Sequence, residues 1–116
     1  MSVWVVDATE EYLEWFAALD VGSKQAILRG VLLLEEFGPQ LGRPSVDTLK
    51  GSSLPNLKEL RSHTAEHVYR VFFAFDERRK ALLLIGGDKK GLSDRAFYKN
   101  KISEAEELYK RYRGKE

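Results

Sequence analysis

Apolar residues change their spacing several times along this chain, and each change predicts an element. "VWVVD" (Val3–Asp7) is a run of β-branched and aromatic residues that predicts a strand. Asp7 and Glu10 make the polar pair of a helix start, and Tyr12, Phe16 and Leu19 follow at helical spacing. Gly22 in "DVGSK" is expected to break that helix, and Ser23 to cap the next. From Lys24 to Phe37 the stripe of Ile27, Val31 and Leu34, widened by Leu28 and Leu32, predicts a second helix that Gly38-Pro39 stops. The two helices are expected to form an antiparallel hairpin whose apolar stripe needs a sheet to cover it.

Residues 39–56 are rich in Gly, Pro and Ser and predict a loop. Alternation then begins. Over Leu57–Ser62, Leu57, Glu59 and Arg61 share one side while Lys58 and Leu60 share the other. Over His67–Asp76, Tyr69, Val71, Phe73 and Phe75 line one face, and Val68, Arg70, Phe72 and Ala74 line the other. A hairpin turn is expected at Asp76–Lys80. "ALLLI" (Ala81–Ile85) is apolar at every position, as a central strand covered on both faces requires. Gly86–Lys101, "GGDKKGLSDRAFYKNK", reads as a cationic loop holding the aromatic pair Phe97 and Tyr98. A capping box at Ser103–Glu106 is expected to open a last helix with Ile102, Ala105, Leu108, Tyr109 and Tyr112 on its apolar side. The expected order is β-α-α-β-β-β-α, an α+β fold with an antiparallel sheet packed on an N-terminal helical hairpin, in one domain over residues 1–116.

Composition narrows the chemistry. The chain has 116 residues and no cysteine, so disulfides and thiolate metal sites are excluded. "MSVWVVDATEE" has no basic start and only a short apolar run, and no segment reaches the roughly 20 apolar residues of a membrane span. A cytoplasmic address without a membrane partner is the expectation. The net charge of +1 conceals a division: residues 1–40 carry seven acids and two bases, whereas residues 41–116 carry 17 bases and 11 acids. Such segregation suits one face to an anionic partner.

Several chemistries fall away. His63 and His67 lie four apart, but on a turn and a strand start where that spacing does not converge them, and no carboxylate cluster joins them. No glycine-flanked serine elbow is present, and "LKGSS" (Leu49–Ser53) lacks the order of a phosphate loop. No cofactor is implied. Cations at strand positions remain. Arg70, mid-strand among Val68, Phe72 and Ala74, must either pair, with Glu59 on the neighbouring strand, or face a polar groove aimed at phosphate. Antiparallel pairing brings Arg61 towards it, and Lys89 and Lys90 leave the end of the central strand. One ring of the Phe97–Tyr98 pair is expected to anchor the loop, and Tyr98 facing the groove offers a stacking surface worth roughly 1–3 kcal/mol per base. Amid cations its hydroxyl is expected to have a lowered pKa and to accept a proton. Metal-free RNA cleavage asks for little more, because the 2′-hydroxyl attacks its own 3′-phosphate and the protein supplies alignment, charge and proton transfer. No histidine lies in the cationic loop, so the proton carriers stay open.

Three segments, "GRPSVDTLKGSSLPNLKELR" (Gly42–Arg61), "YRVFFAFDERRKALLLIGGDKKG" (Tyr69–Gly91) and "FYKNKISEAEELY" (Phe97–Tyr109), together resemble the HigB-like branch of the RelE/ParE superfamily of toxins. The resemblance implies a RelE-like fold, mRNA cleavage on the translating ribosome, and a cognate helix-turn-helix antitoxin that docks either over the cationic groove or on the hairpin. It places Arg61 and Arg70 at the family's strand arginines, Lys89 after the last strand and Tyr98 in its aromatic pair. In this reading Arg61 and Arg70 hold the scissile phosphate, Lys89 or Lys90 assists the leaving oxygen, and Tyr98 stacks or acts as base. Lys50, Lys58, Lys90, Lys99 and Lys101 add contacts to RNA. Some HigB relatives carry histidines near the active site, and here none follows His67. Superfamily members that poison gyrase, or a non-catalytic RNA- or protein-binding module, would share the scaffold.

Overall fold

The computed structural model describes residues 3–76, 78 and 80–114. Strand β1 (Val5–Ala8) leads through helices α1 (Glu10–Ala17) and α2 (Val21–Phe37) and a 3₁₀ turn (Gly38–Gln40) to strand β2 (Val46–Thr48). Strands β3 (Lys58–His63), β4 (Val68–Phe75) and β5 (Lys80–Asp88) follow, and helix α3 (Asp94–Gly114) closes the order. The five strands form one sheet in the order β1-β5-β4-β3-β2. β2, β3, β4 and β5 pair antiparallel, but β1 lies parallel to β5, so the sheet is mixed. That pairing joins strands more than 70 residues apart, which no local pattern announces.

Two cores lie on the two faces of the sheet. Leu60, Tyr69, Val71, Phe73, Ala81 and Leu83 pack with Tyr12 of α1 and with Ile27 and Leu34 of α2. Leu57, Phe72, Leu82, Leu84 and Ile85 pack with Phe97, Ala105 and Leu108 of α3. The alternation expected for β4 is the one observed, and β5 is buried on both sides. A bulge between Phe72 and Phe73 inserts an extra β5 residue, which puts Leu84 and Ile85 together under α3. Phe72 and Phe73 are both fully buried, each worth roughly 1.5–3 kcal/mol of apolar burial. Among the described residues no helix is long and apolar enough to cross a membrane.

Several boundaries differ from those expected. Asp7 stays in β1, and Thr9 caps α1: its hydroxyl accepts the Tyr12 N–H at 3.0 Å and donates to the Leu84 carbonyl at 2.6 Å. α2 runs through Gly22 and Ser23 because the Asp20 carboxylate caps it, accepting the Ser23 N–H at 2.8 Å and hydroxyl at 2.9 Å. Within the stretch expected as loop, β2 forms because β3 offers it an edge and buried Val46 an anchor. β5 continues through both glycines to Asp88, and α3 opens at Asp94 with the Ser93 hydroxyl accepting the Ala96 N–H at 3.2 Å. The loop between them is therefore short, and Ser103–Glu106 lies inside α3 rather than at its start. The turn expected at Asp76–Lys80 falls partly outside the described residues, at 77 and 79; at its ends the Asp76 N–H donates to the Lys80 carbonyl at 2.9 Å.

Candidate nucleic-acid interface

On the α3 side of the sheet, the two-residue period of the strands aligns Glu59 and Arg61 of β3 with Arg70 of β4 and Gly87 of β5. Arg61 and Arg70 are directly opposed across the ladder, and Arg70 is opposed to Gly87. Like charges so placed repel. Glu59, two residues from Arg61 and 2% exposed, resolves the conflict. Its Oε2 accepts from Arg61 Nε at 3.1 Å and lies 3.0 Å from Arg61 Nη2, while Oε1 lies 3.4 Å from Arg70 Nε. Arg70 thus takes the ion-pair alternative, and also donates Nη1 to the Tyr69 carbonyl at 3.0 Å. Arg61 reaches onward to Asp47 at 3.3 Å, and Arg43 meets the same carboxylate at 2.9 Å. Asp47 is held below the usual carboxylate range, first by its hydrogen bond from Arg43.

The first turn of α3 brings the aromatic pair to this network. Phe97 enters the core against Phe72, and Tyr98 turns to the polar side. The Tyr98 hydroxyl donates to Glu59 Oε1 at 2.6 Å and accepts from Arg70 Nε at 3.3 Å. Burial, and then the hydrogen bond to the carboxylate, push its pKa up to about 12. The expected lowering is therefore reversed: Tyr98 keeps its proton and donates it in a hydrogen bond to Glu59. Lys89 Nζ stands 5.7 Å from the centre of that ring and 3.0 Å from Asp94. Glycine at position 87 permits the approach, since a Cβ there would lie 2.9 Å from both Phe97 Cε1 and Lys101 Cε.

Beside the arginines opens a cleft of about 500 Å³, lined by Arg61, Arg70 and His63 together with Pro44, Ser45 and Thr64. Arg61, Arg70, Lys89 and Tyr98 are thus brought together on one side of the sheet. Lys101 lies beside Gly87 and pairs with Glu104 at 3.1 Å. Lys90 follows Lys89 in the turn, Lys99 is exposed on α3 and Lys50 is exposed in the β2–β3 loop. Lys58 is a correction. It shares the register of Phe73 on the opposite face and donates to Thr48 at 2.9 Å, so its strand parity excludes it from this surface. Glu59 entered the sequence reading only as a pairing partner, and Asp47 and His63 were not foreseen here; a buried acid two residues before an arginine in an alternating strand was the signal available. The arrangement holds two guanidiniums in fixed directions at the mouth of an open cleft, suited to an oxyanion.

Residues 14–110 match the family described as phage derived protein Gp49-like (DUF891). HigB3 of Mycobacterium tuberculosis, named as a toxin, is 44% identical over 93 residues, covering 80% of this chain and 79% of that protein. HigB2 of the same organism, also named as a toxin, is 37% identical over 107 residues, covering 91% of this chain but 52% of that protein, so the chain spans about half the length of this relative. Among solved structures, isolated RelE toxin of E. coli superposes with a TM-score of 0.61 at 14% identity, covering 84% of this chain and 96% of RelE. RelE in the archaeal RelE–RelB complex of Pyrococcus horikoshii gives 0.56 at 17% identity, covering 78% and 99%. Sequence gives the family and superposition the fold: the chain belongs to the Gp49-like family, is HigB-like in sequence, and has the fold of RelE.

Proposed function

We propose that this protein is the toxin of a type II toxin–antitoxin module and acts as an endoribonuclease on mRNA at the translating ribosome. The observation that carries the reading is the opposed pair Arg61 and Arg70, fixed by Glu59 at an open cleft with Lys89 and Tyr98 alongside. In the reaction the 2′-hydroxyl oxygen attacks the adjacent phosphorus and the P–O5′ bond breaks, leaving a 2′,3′-cyclic phosphate and a 5′-hydroxyl. Arg61 and Arg70 neutralise the charge gathering on the non-bridging oxygens, where fixed donors in a partly dry site act most strongly. Lys89 protonates the departing 5′ oxygen, and the Tyr98 ring borders the base. No metal is required by this chemistry because the nucleophile arrives with the substrate.

A cognate antitoxin is the expected protein partner, supported by the solved assembly of RelE with RelB. Helix α1, with three acids and no base, and charge-balanced α2 pack on the sheet face opposite the arginines, which leaves the arginine side turned towards RNA. Primer extension on cellular mRNA after brief induction tests the reading, with Arg61→Ala and Arg70→Ala compared against the natural sequence. Loss of one oxyanion donor is expected to lower cutting by roughly 10²–10³-fold. Cuts undiminished in both variants would remove the arginine pair from the chemistry. In purified components, cutting is expected only when ribosomes are present.

A further inference from the structure

His63 ends β3 and, by strand parity, falls on the face that carries Glu59 and Arg61. It is exposed and lines the cleft together with Arg61 and Arg70. The other histidine is engaged elsewhere: His67 Nδ1 lies 2.6 Å from Asp88 Oδ2, and its ring stacks on Tyr69. Cleavage by a 2′-hydroxyl needs an acceptor for its proton, and the carboxylates beside the arginines and Lys89 are already committed, Asp47 to Arg43 and Arg61 and Asp94 to Lys89. Guanidiniums offer no lone pair. Glu59 is buried beneath two arginines and a tyrosine hydroxyl, Tyr98 holds its own proton, and the Lys89 ammonium is paired with Asp94. Imidazole exchanges a proton in the neutral range and accepts one through either ring nitrogen.

We propose that His63 takes the proton from the attacking 2′-hydroxyl, an assignment that rests on the ribonuclease reading above. As the O–H bond gives up its proton to imidazole, its electron pair forms the O2′–P bond. The P–O5′ pair leaves on the 5′ oxygen, which takes a proton from Lys89. His63 then returns its proton to water, and Lys89 regains one. The charged groups facing His63 are Arg61 from its own strand and Arg70 from β4, while Pro44, Ser45 and Thr64 bring no charge to the cleft.

The test measures single-turnover cutting of ribosome-bound mRNA between pH 5.5 and 8.5 by the natural protein, His63→Gln and His63→Ala, with RNA affinity followed separately by fluorescence anisotropy. Both variants are expected to lose roughly 10²–10⁴-fold in rate at unchanged affinity, the range for loss of a general base. The rise of rate with pH on the acidic side should disappear in both, and added imidazole should partly restore His63→Ala. If the natural protein cuts while His63→Gln keeps both its rate and its acidic limb, the assignment of His63 is overturned and the nuclease reading stands. If the natural protein cuts nothing, both are overturned.

Discussion

Glu59, Arg70 and Tyr98 show how one buried acid organises its neighbours. A carboxylate 2% exposed is tolerated only when its oxygens are filled, and two guanidiniums and a phenol fill them. The two arginines, which would repel each other in isolation, acquire a common partner and defined directions. Tyr98 acquires a proton it does not release readily. Its pKa is raised from an ordinary 10.0 to about 12, so this group's stabilisation is complete below pH 10.0 and is lost as pH rises from there to about 12. Tyr12 is likewise raised to about 12, by burial. Ultraviolet titration of tyrosinate should therefore show one late transition fewer in Tyr98→Phe than in the natural protein. The difference in denaturation midpoint between the two should narrow over the same pH interval. A Tyr98→Phe curve indistinguishable from that of the natural protein would mean that Tyr98 is not held in this way. Sequence pattern named all three residues, but it allowed Tyr98 either to stack or to act as base, because it counted nearby cations and could count neither the burial of the phenol nor the Glu59 carboxylate beside it.

At the scale of elements, the decisive event is that β5 does not end at its glycines. Gly86 and Gly87 look like the opening of a loop, yet β4 pairs with both, and each is a point of close approach. A Cβ at Gly86 would overlap the Trp15 ring, and one at Gly87 would crowd Phe97. The extended strand shortens the connection to α3, so Tyr98 arrives on a helical turn rather than on a flexible tether. Gly87→Ala is expected to destabilise by about 1–3 kcal/mol through overpacking and, by lifting the first turn of α3, to reduce cutting more than stability alone explains. Gly42→Ala, where an added Cβ meets nothing within 4 Å, is the matched control. Denaturant midpoints and cutting rates for the pair check this, and equal behaviour of the two variants would sink it. Local chemistry made the glycines legible as glycines; only the ring on each side of the sheet explains why they belong in a strand.

Across the whole molecule, the charge division of the sequence becomes a division of faces. Helix α1, with Glu10, Glu11 and Glu14 and no base, covers one side of the sheet together with charge-balanced α2, and Arg61, Arg70, Lys89 and Lys101 gather on the other. RNA affinity should fall with salt, with a logarithmic slope of about −0.7 for each phosphate neutralised on a single strand. Arg70→Ala should flatten that slope by about one such contact. Lys58→Ala, on the opposite face, should leave both slope and cutting unchanged. Anisotropy titrations at several salt concentrations measure this, and a Lys58 variant as impaired as Arg70→Ala would contradict the assignment of faces.

Alternation and helical spacing, which depend only on neighbours in the chain, determined the α+β class, both faces of β4, the burial of β5 on two sides and the parity that sets Arg61 apart from Lys58. Contacts between distant segments decided the rest: the parallel pairing of β1, the edge strand β2, the start of α3, the clamp on Glu59 and the entry of His63 into the cleft. Periodicity reports which way a side chain points from its own backbone. What it meets there depends on the backbone of another element, and that information does not reside in any local stretch of sequence.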